Sequence, residues 1–169
     1  MFWKILDTLK LLQKKHKPFK RVLDVGSRNI NGSVRDVLVD SKVIGIDFIE
    51  GKDVDVVMDA HDLTEKFPIK SFDLVTCCEM LEHDKRFWIT VKNMRALVKP
   101  GGYLFITVPG INFFKHDFPA DYYRFTEEVF TDVFFKGWED IYVTNYSDSH
   151  SQYVNKPNNL MGWARRPKR

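Results

Sequence analysis

Short runs of β-branched and aromatic residues recur along this chain of 169 residues, and segments with helical spacing fill most gaps between them. The runs are 20–25, 42–47, 54–58, 72–78, 103–108, 138–144 and 160–165. Between them, Val34, Val37 and Leu38 share one face of a short helix that Asn31 or Ser33 is placed to cap. Phe87, Trp88, Val91, Met94, Leu97 and Val98 share the inner face of a longer helix, with Asp84 at its start and Pro100-Gly101-Gly102 at its end. Thr126 opens a further helix through Phe135, ended by Gly137. Strands alternating with helices build a parallel sheet covered on both faces. The last two runs have no helical pattern between them, so they are expected to pair antiparallel as a hairpin at one side. Residues 2–16 set Phe2, Ile5, Leu6, Leu9 and Leu12 at helical spacing, and Pro18 ends that helix.

No internal repeat, low-complexity tract or linker interrupts the chain. It reads as one domain: an amphipathic helix over 1–17, a core over 20–145, and a loop, last strand and basic tail over 146–169. Fourteen Phe, six Tyr and four Trp supply the apolar area for one sizeable core. The charged residues Lys4, Asp7 and Lys10 argue against a membrane span or a secretory signal at the start. Two adjacent cysteines, Cys77 and Cys78, make neither a disulfide framework nor a zinc site unaided, so a reducing, cytoplasmic home is expected. The net charge of +3 conceals an asymmetry. Residues 1–21 carry seven basic side chains against one acid, and Arg165, Arg166, Lys168 and Arg169 crowd the other end. Basic ends on an acidic body open a nucleic-acid or anionic-membrane reading, but no aromatic-basic interleaving accompanies the tail, so solvated ends are favoured.

In such sheets ligands sit beyond the strand C-termini, where strand order reverses. After the first strand stands Asp24-Val25-Gly26-Ser27-Arg28-Asn29-Ile30-Asn31-Gly32, a glycine turn whose backbone amides are expected to approach an anionic group. After the second stands Asp47, 21 residues beyond Gly26, the distance at which an acid meets ribose hydroxyls. Asp59-Ala60-His61-Asp62 follows the third, and Cys78-Glu79 the fourth. Four consecutive strand ends with polar or small groups outline a crevice shaped for a nucleoside. The loop lacks the three glycines of a dinucleotide fingerprint. Asp24 before the turn suits a ligand carrying positive charge, such as an amine or a sulfonium; a buried turn-former is the competing reading.

Val22-Leu23-Asp24-Val25-Gly26, Asp47, Asp59-Ala60, Phe72-Asp73-Leu74-Val75, Leu81-Glu82-His83 and Leu97-Val98-Lys99-Pro100-Gly101-Gly102 resemble the ordered motifs of class I S-adenosylmethionine-dependent methyltransferases, above all the small type 11 domains. The resemblance covers roughly 20–145. It implies an α/β fold: a Rossmann-like, doubly wound, mainly parallel seven-stranded sheet with an antiparallel C-terminal hairpin. The implied cofactor is S-adenosyl-L-methionine, with S-adenosyl-L-homocysteine as product. The resemblance sets Gly26 and Ser27, with Asn31 beyond them, by the methionine portion and Asp24 near its amino group. Asp47 would hold the ribose and Phe48 the adenine face. Asp59, the Ala60 backbone and His61 would line the adenine edge, and the backbone of Cys78 or Glu79 would face the methionine amine. Arg28 and Ile30 stand where the family has glycines, which predicts a wider loop.

Transfer of an activated methyl mainly requires two partners held close and aligned, with a base when the nucleophile is a hydroxyl. His83 after the fourth strand and His116 on the 109–125 loop are the candidate catalytic groups; packing at a helix start competes for His83. Tyr122, Tyr123 and Arg124 on the same loop are candidate substrate contacts, with an internal Arg124–Asp121 pair as the alternative. His16 and His150 have no motif around them. Cys77 and Cys78 read as small buried hydrophobes, and no cluster in the sequence has metal-ligand spacing. The favoured acceptor is a small molecule, such as a sugar or sugar nucleotide. An RNA or DNA methyltransferase and a non-catalytic binding module are the alternatives, and oligomeric state is left open.

Overall fold

A computed structural model describes residues 3–16, 18–116, 120–147 and 159–169. Phe2, His150, most of the polar 147–158 loop and residues 117–119 of the loop before Tyr122 lie outside the described residues. One seven-stranded sheet runs β3-β2-β1-β4-β5-β7-β6. Its strands are β1 (Arg21–Val25), β2 (Lys42–Asp47), β3 (Val56–Val57), β4 (Phe72–Cys78), β5 (Val98–Pro109), β6 (Glu139–Tyr146) and β7 (Asn159–Arg165). The first five are parallel, and β7 pairs antiparallel with both β5 and β6, so the expected hairpin is present. Strand order reverses between β1 and β4, which marks the ligand edge of such a sheet.

Alternation along the central strands sends their side chains to two separate cores. Leu23, Val25, Val75, Cys77, Leu104 and Ile106 pack in one core with Leu63 of the short α2 (Leu63–Lys66) and with Val91, Met94 and Leu97 of α3 (Phe87–Leu97). Val22, Leu74, Tyr103 and Phe105 pack on the opposite face against Ile5, Leu9 and Leu12 of α1 (Trp3–His16) and against Trp163. The N-terminal helix therefore covers one face of its own sheet. Asp24 and Thr76 point to this face, side by side in the β1–β4 register.

Several local expectations change. The strand expected over 54–58 is only Val56–Val57, because the Asp55 carboxylate, instead of a ladder carbonyl, receives the Gly45 amide at 2.7 Å. The helix after Gly32 is a single 3-10 turn, Val34–Asp36. Ser33 caps it and Asp36 returns a bond to the Ser33 amide, so Asn31 is not its cap. Asp84 does not cap α3 directly. It braces the preceding turn by accepting from the Arg86 amide at 2.8 Å and the Thr90 hydroxyl at 2.6 Å. The helix expected over 126–135 is mainly a π-helical turn, Phe130–Phe134. The wider turn sets Phe130, Phe134 and Phe135 together in the core, all fully buried.

The basic C-terminus is tied into the fold. Arg166 donates to the Arg95, Ala96 and Val98 carbonyls at 3.0, 3.3 and 2.8 Å, at the C-terminal end of α3. Arg165 pairs with Glu139 at 2.9 Å. Among the described residues, no helix is long and apolar enough to cross a membrane.

Candidate active site

Beyond the C-terminal ends of β1, β2 and β4 lie two adjoining cavities, of about 540 and 370 Å³. Gly26, Asp47, Phe48, Met80 and His83 line both and form the divide. The larger also takes Asp24, Ser27, Asn31, Cys78, Glu79 and His116, and the smaller takes Asp59, Ala60, His61 and Tyr122. Every residue the sequence marked for the cofactor therefore lines one of these spaces. Ile5 of α1 also reaches the larger one.

Two glycines make room for the divide. Gly26 has φ +78°, and a Cβ there would stand 2.8 Å from Met80 Cβ and Cγ. Gly45 passes so close to the 51–55 turn that a Cβ would meet the Asp53 carbonyl oxygen at 2.1 Å. The loop after Gly26 is held without further glycines. Ser27 Oγ donates to the Asp53 carbonyl at 3.1 Å, Asn29 Nδ2 to Asp53 Oδ2 at 2.7 Å, and the Asn29 amide to the Lys52 carbonyl at 3.0 Å. The side chains at 28 and 30 are accommodated because the loop swings outward onto the β2–β3 connection. That path alters one expectation. The Gly26 and Ser27 amides both donate to the Ile46 carbonyl at 2.9 Å, and no regular helix follows, so these two N–H groups form no anion cradle.

Polar groups on the β1–β4 edge carry unusual proton affinities. Asp24 is 3% exposed and accepts from the Thr76 hydroxyl at 2.7 Å; burial pushes its carboxyl up to about 6. Glu79, at φ +50°, turns out of β4 toward the Tyr146 hydroxyl, 3.3 Å away. Burial, reinforced by the nearby charge of Glu82, raises it to about 8. Asp47 closes β2 with its carboxylate receiving the Ile49 amide at 3.0 Å and the Arg28 amide at 3.4 Å. Phe48 stands 56% exposed at the rim of both cavities, an apolar ring with a free face.

In the smaller cavity Asp59 Oδ1 receives the His61 amide at 2.8 Å. His61 Nε2 lies 3.0 Å from Asp84 Oδ1, and Arg86 approaches its Nδ1 at 3.2 Å, which orients the ring. Tyr122 is the one of the three candidate substrate residues that reaches a cavity wall. The Arg124 guanidinium instead grips both Asp121 oxygens and donates to the Phe113, Phe114 and Tyr123 carbonyls. Tyr123 packs edge-on against Phe87 at 5.1 Å and donates to the Lys85 carbonyl. These two residues build the loop and line neither cavity.

The loop brings His116 to His83, with ring centroids 4.9 Å apart. Between them lies Glu82, fully buried, with no hydrogen bond to either carboxylate oxygen among the described residues. His83 Nε2 and His116 Nε2 stand 3.6 and 3.7 Å from Glu82 Oε1. The Glu82 carboxylate holds the His116 imidazole above its ordinary proton affinity against the opposing effect of burial. In the sequence Glu82 stands only as part of the Leu81-Glu82-His83 motif, with no role in the site assigned to it. Cys77 is buried in β4 and Cys78 is partly buried, and burial raises both thiols well above their usual range.

Residues 1–156 match the family described as "Methyltransferase domain". A ubiquinone biosynthesis O-methyltransferase of Paraburkholderia phytofirmans is 29% identical over 106 residues, covering 54% of this chain and 45% of that protein. The chain thus aligns with less than half the length of that relative. Among solved structures, a SAM-dependent methyltransferase from Archaeoglobus fulgidus superposes with a TM-score of 0.66 at 19% identity, over 95% of this chain and 94% of the other. Phosphoethanolamine N-methyltransferase 2 of Haemonchus contortus, in complex with S-adenosyl-L-methionine, superposes with a TM-score of 0.69 at 20% identity, over 98% of this chain and 53% of the other. With the sheet order and hairpin expected of that fold, and a family match spanning nearly all of its length, the chain belongs to the methyltransferase-domain family.

Proposed function

We propose that this chain transfers a methyl group from S-adenosyl-L-methionine to a small-molecule acceptor. The supporting observation is that Asp24, Asp47 and Asp59, at or just beyond the C-terminal ends of β1, β2 and β3, line one pair of adjoining cavities. A buried carboxyl raised to about 6 at Asp24 gains most from a cationic neighbour, as the ammonium of the methionine portion would be. Gly26 and Ser27 line the larger cavity beside Asp24, where the same portion of the ligand would lie.

When bound, the cofactor supplies an activated methyl on a sulfonium. In this reading Asp24, Gly26, Ser27, Asn31 and the Cys78–Glu79 backbone hold the methionine end. Asp47 accepts from the ribose hydroxyls, and Phe48, Asp59, Ala60 and His61 bind adenine in the smaller cavity. The acceptor enters the remainder of the larger cavity, against His83, His116 and the rings of Phe113 and Phe114. A hydroxyl-rich molecule such as a sugar or sugar nucleotide suits that mixture of polar and aromatic walls. The chain's two cysteines are free, which fits a reducing cytoplasm.

Calorimetric titration of S-adenosyl-L-methionine and S-adenosyl-L-homocysteine, with NAD as control, tests the assignment. Both are expected to bind, and Asp47→Ala to weaken them by roughly 10–100-fold, the loss of hydrogen bonds to one charged group. Silence of folded protein toward both ligands would overturn it.

A further inference from the structure

We infer that Glu82, His83 and His116 form a binding site for a divalent first-row transition-metal ion on the acceptor side of the cleft. The three side chains offer one carboxylate oxygen and two imidazole nitrogens, all within 4.8 Å of one another. Their separations suit a shared ion. Two donors each ~2.1 Å from a metal at a tetrahedral angle stand about 3.4 Å apart. The Nε2 atoms of His83 and His116 stand 3.6 and 3.7 Å from Glu82 Oε1.

The buried carboxylate is the second observation. Glu82 is fully inaccessible, yet neither oxygen receives a hydrogen bond among the described residues. An unsatisfied buried acceptor of this kind is costly unless something cationic approaches it. The His83 imidazole is held as a metal ligand is held. Its Nδ1 donates to the Ala120 carbonyl, which leaves Nε2 facing Glu82. His116 is held through its backbone, whose amide donates to Asp121 Oδ2 at 2.8 Å; its Nδ1 lies 3.4 Å from the same oxygen without a hydrogen bond, and that carboxylate is gripped in turn by Arg124. Both Nε2 atoms face the same Glu82 oxygen.

Two imidazoles and a carboxylate with the remaining positions open suit manganese, iron, cobalt or zinc. His83 and His116 line the larger cavity, so the open positions would take oxygen donors of the acceptor, such as adjacent hydroxyls. This use of the site rests on the methyl-transfer reading; binding of the ion itself does not.

The test titrates Co2+ and Mn2+, each alone, into the chelator-stripped 169-residue chain, with the visible spectrum of the cobalt form as a second readout. One ion per chain is expected, with Co2+ held more tightly than Mn2+. His83→Ala and His116→Ala should each weaken binding beyond the roughly 10–100-fold that an outer-layer change such as Asp121→Asn causes. His116 is partly exposed on its loop, so its variant tests the site even if Glu82→Gln does not fold. His16→Gln, remote from the cleft, should bind Co2+ like the parent. Absence of binding up to about 1 mM Co2+, or binding unchanged in both histidine variants, would overturn the proposal. A parallel S-adenosyl-L-methionine titration separates the two readings. Cofactor binding without metal removes this site alone, whereas metal binding without cofactor removes the transferase assignment alone.

Discussion

The hydroxyl of Thr76 donates to Asp24 Oδ1 at 2.7 Å across the β1–β4 pair, in the fully buried floor of the larger cavity. That single bond does not offset burial, and the carboxyl sits at about 6 against an ordinary 3.8. A native value above the unfolded one means that the group's stabilising contribution is complete below pH 3.8 and is lost as pH rises through about 6. Asp24→Asn keeps the acceptor for Thr76 and cannot ionise. Urea unfolding should therefore find the variant gaining on the parent between these two pH values, levelling at about 3 kcal/mol above them. A constant difference across that window would contradict the assignment. The same substitution should weaken S-adenosyl-L-methionine binding at pH 8, where it removes the charge that faces the ligand's ammonium in the proposed pose.

Gly26 lies on the divide between the cavities. Alanine there would take a left-handed backbone at φ +78° and press its Cβ to 2.8 Å from Met80. Strain of this type costs about 1–3 kcal/mol. Gly26→Ala is expected to lower the unfolding midpoint and to weaken cofactor binding together. Gly26→Ala with Met80→Ala should recover only part of the stability, because the contact with Met80 Cγ is removed while the contact with Cβ and the φ strain persist. Full recovery would show that the backbone conformation contributes nothing.

The parts of this picture that were legible in the sequence are those set by local pattern. The alternating apolar runs of β1, β4 and β5 follow from burial on two faces, and Asp24 and Asp47 are placed because a strand end places them. What the sequence did not reveal depends on contacts between distant segments. The outward swing of the glycine-poor loop is held by Asn29 on Asp53 and Ser27 on the Asp53 carbonyl, and neither bond has a periodic signature. Arg124 carries the composition of a substrate clamp, yet the fold of its own loop surrounds it with carbonyls and Asp121. Glu82 is hidden by a general expectation that carboxylates face solvent, and its neighbour His116 lies more than thirty residues away along the chain.

Arg166 supports α3 from outside the helix. Its guanidinium covers three carbonyls at the helix end, and Arg95, in the last turn of the helix, reaches the Phe134 and Lys136 carbonyls at 2.7 Å. Arg166→Ala is expected to destabilise the fold by roughly 1–3 kcal/mol, the range for bonds to a charged group. Arg169→Ala should be near neutral. If the basic tail served nucleic acid instead, both variants would reduce oligonucleotide affinity and its salt dependence alike, with stability unchanged. Thermal unfolding alongside an oligonucleotide titration in varied salt separates the two outcomes.

Arg124 offers the sharpest contrast between a contact read from sequence and a role read from structure. Because its five donors hold Asp121 and the carbonyls of Phe113, Phe114 and Tyr123, it acts as the frame for the wall that carries Phe113, Phe114 and His116. Arg124→Ala should loosen that wall without touching Asp24, Asp47 or Asp59. Cofactor affinity is expected to stay within about twofold, while acceptor KM rises by about tenfold or more, a loss of ~1.4 kcal/mol. Arg124→Lys should rescue little, because an ammonium cannot reproduce the planar two-pronged grip on Asp121. A direct bond from Arg124 to the acceptor would give the opposite pattern: lysine would retain most of the charge-dependent affinity, and acceptors lacking an anionic group would be insensitive to either change.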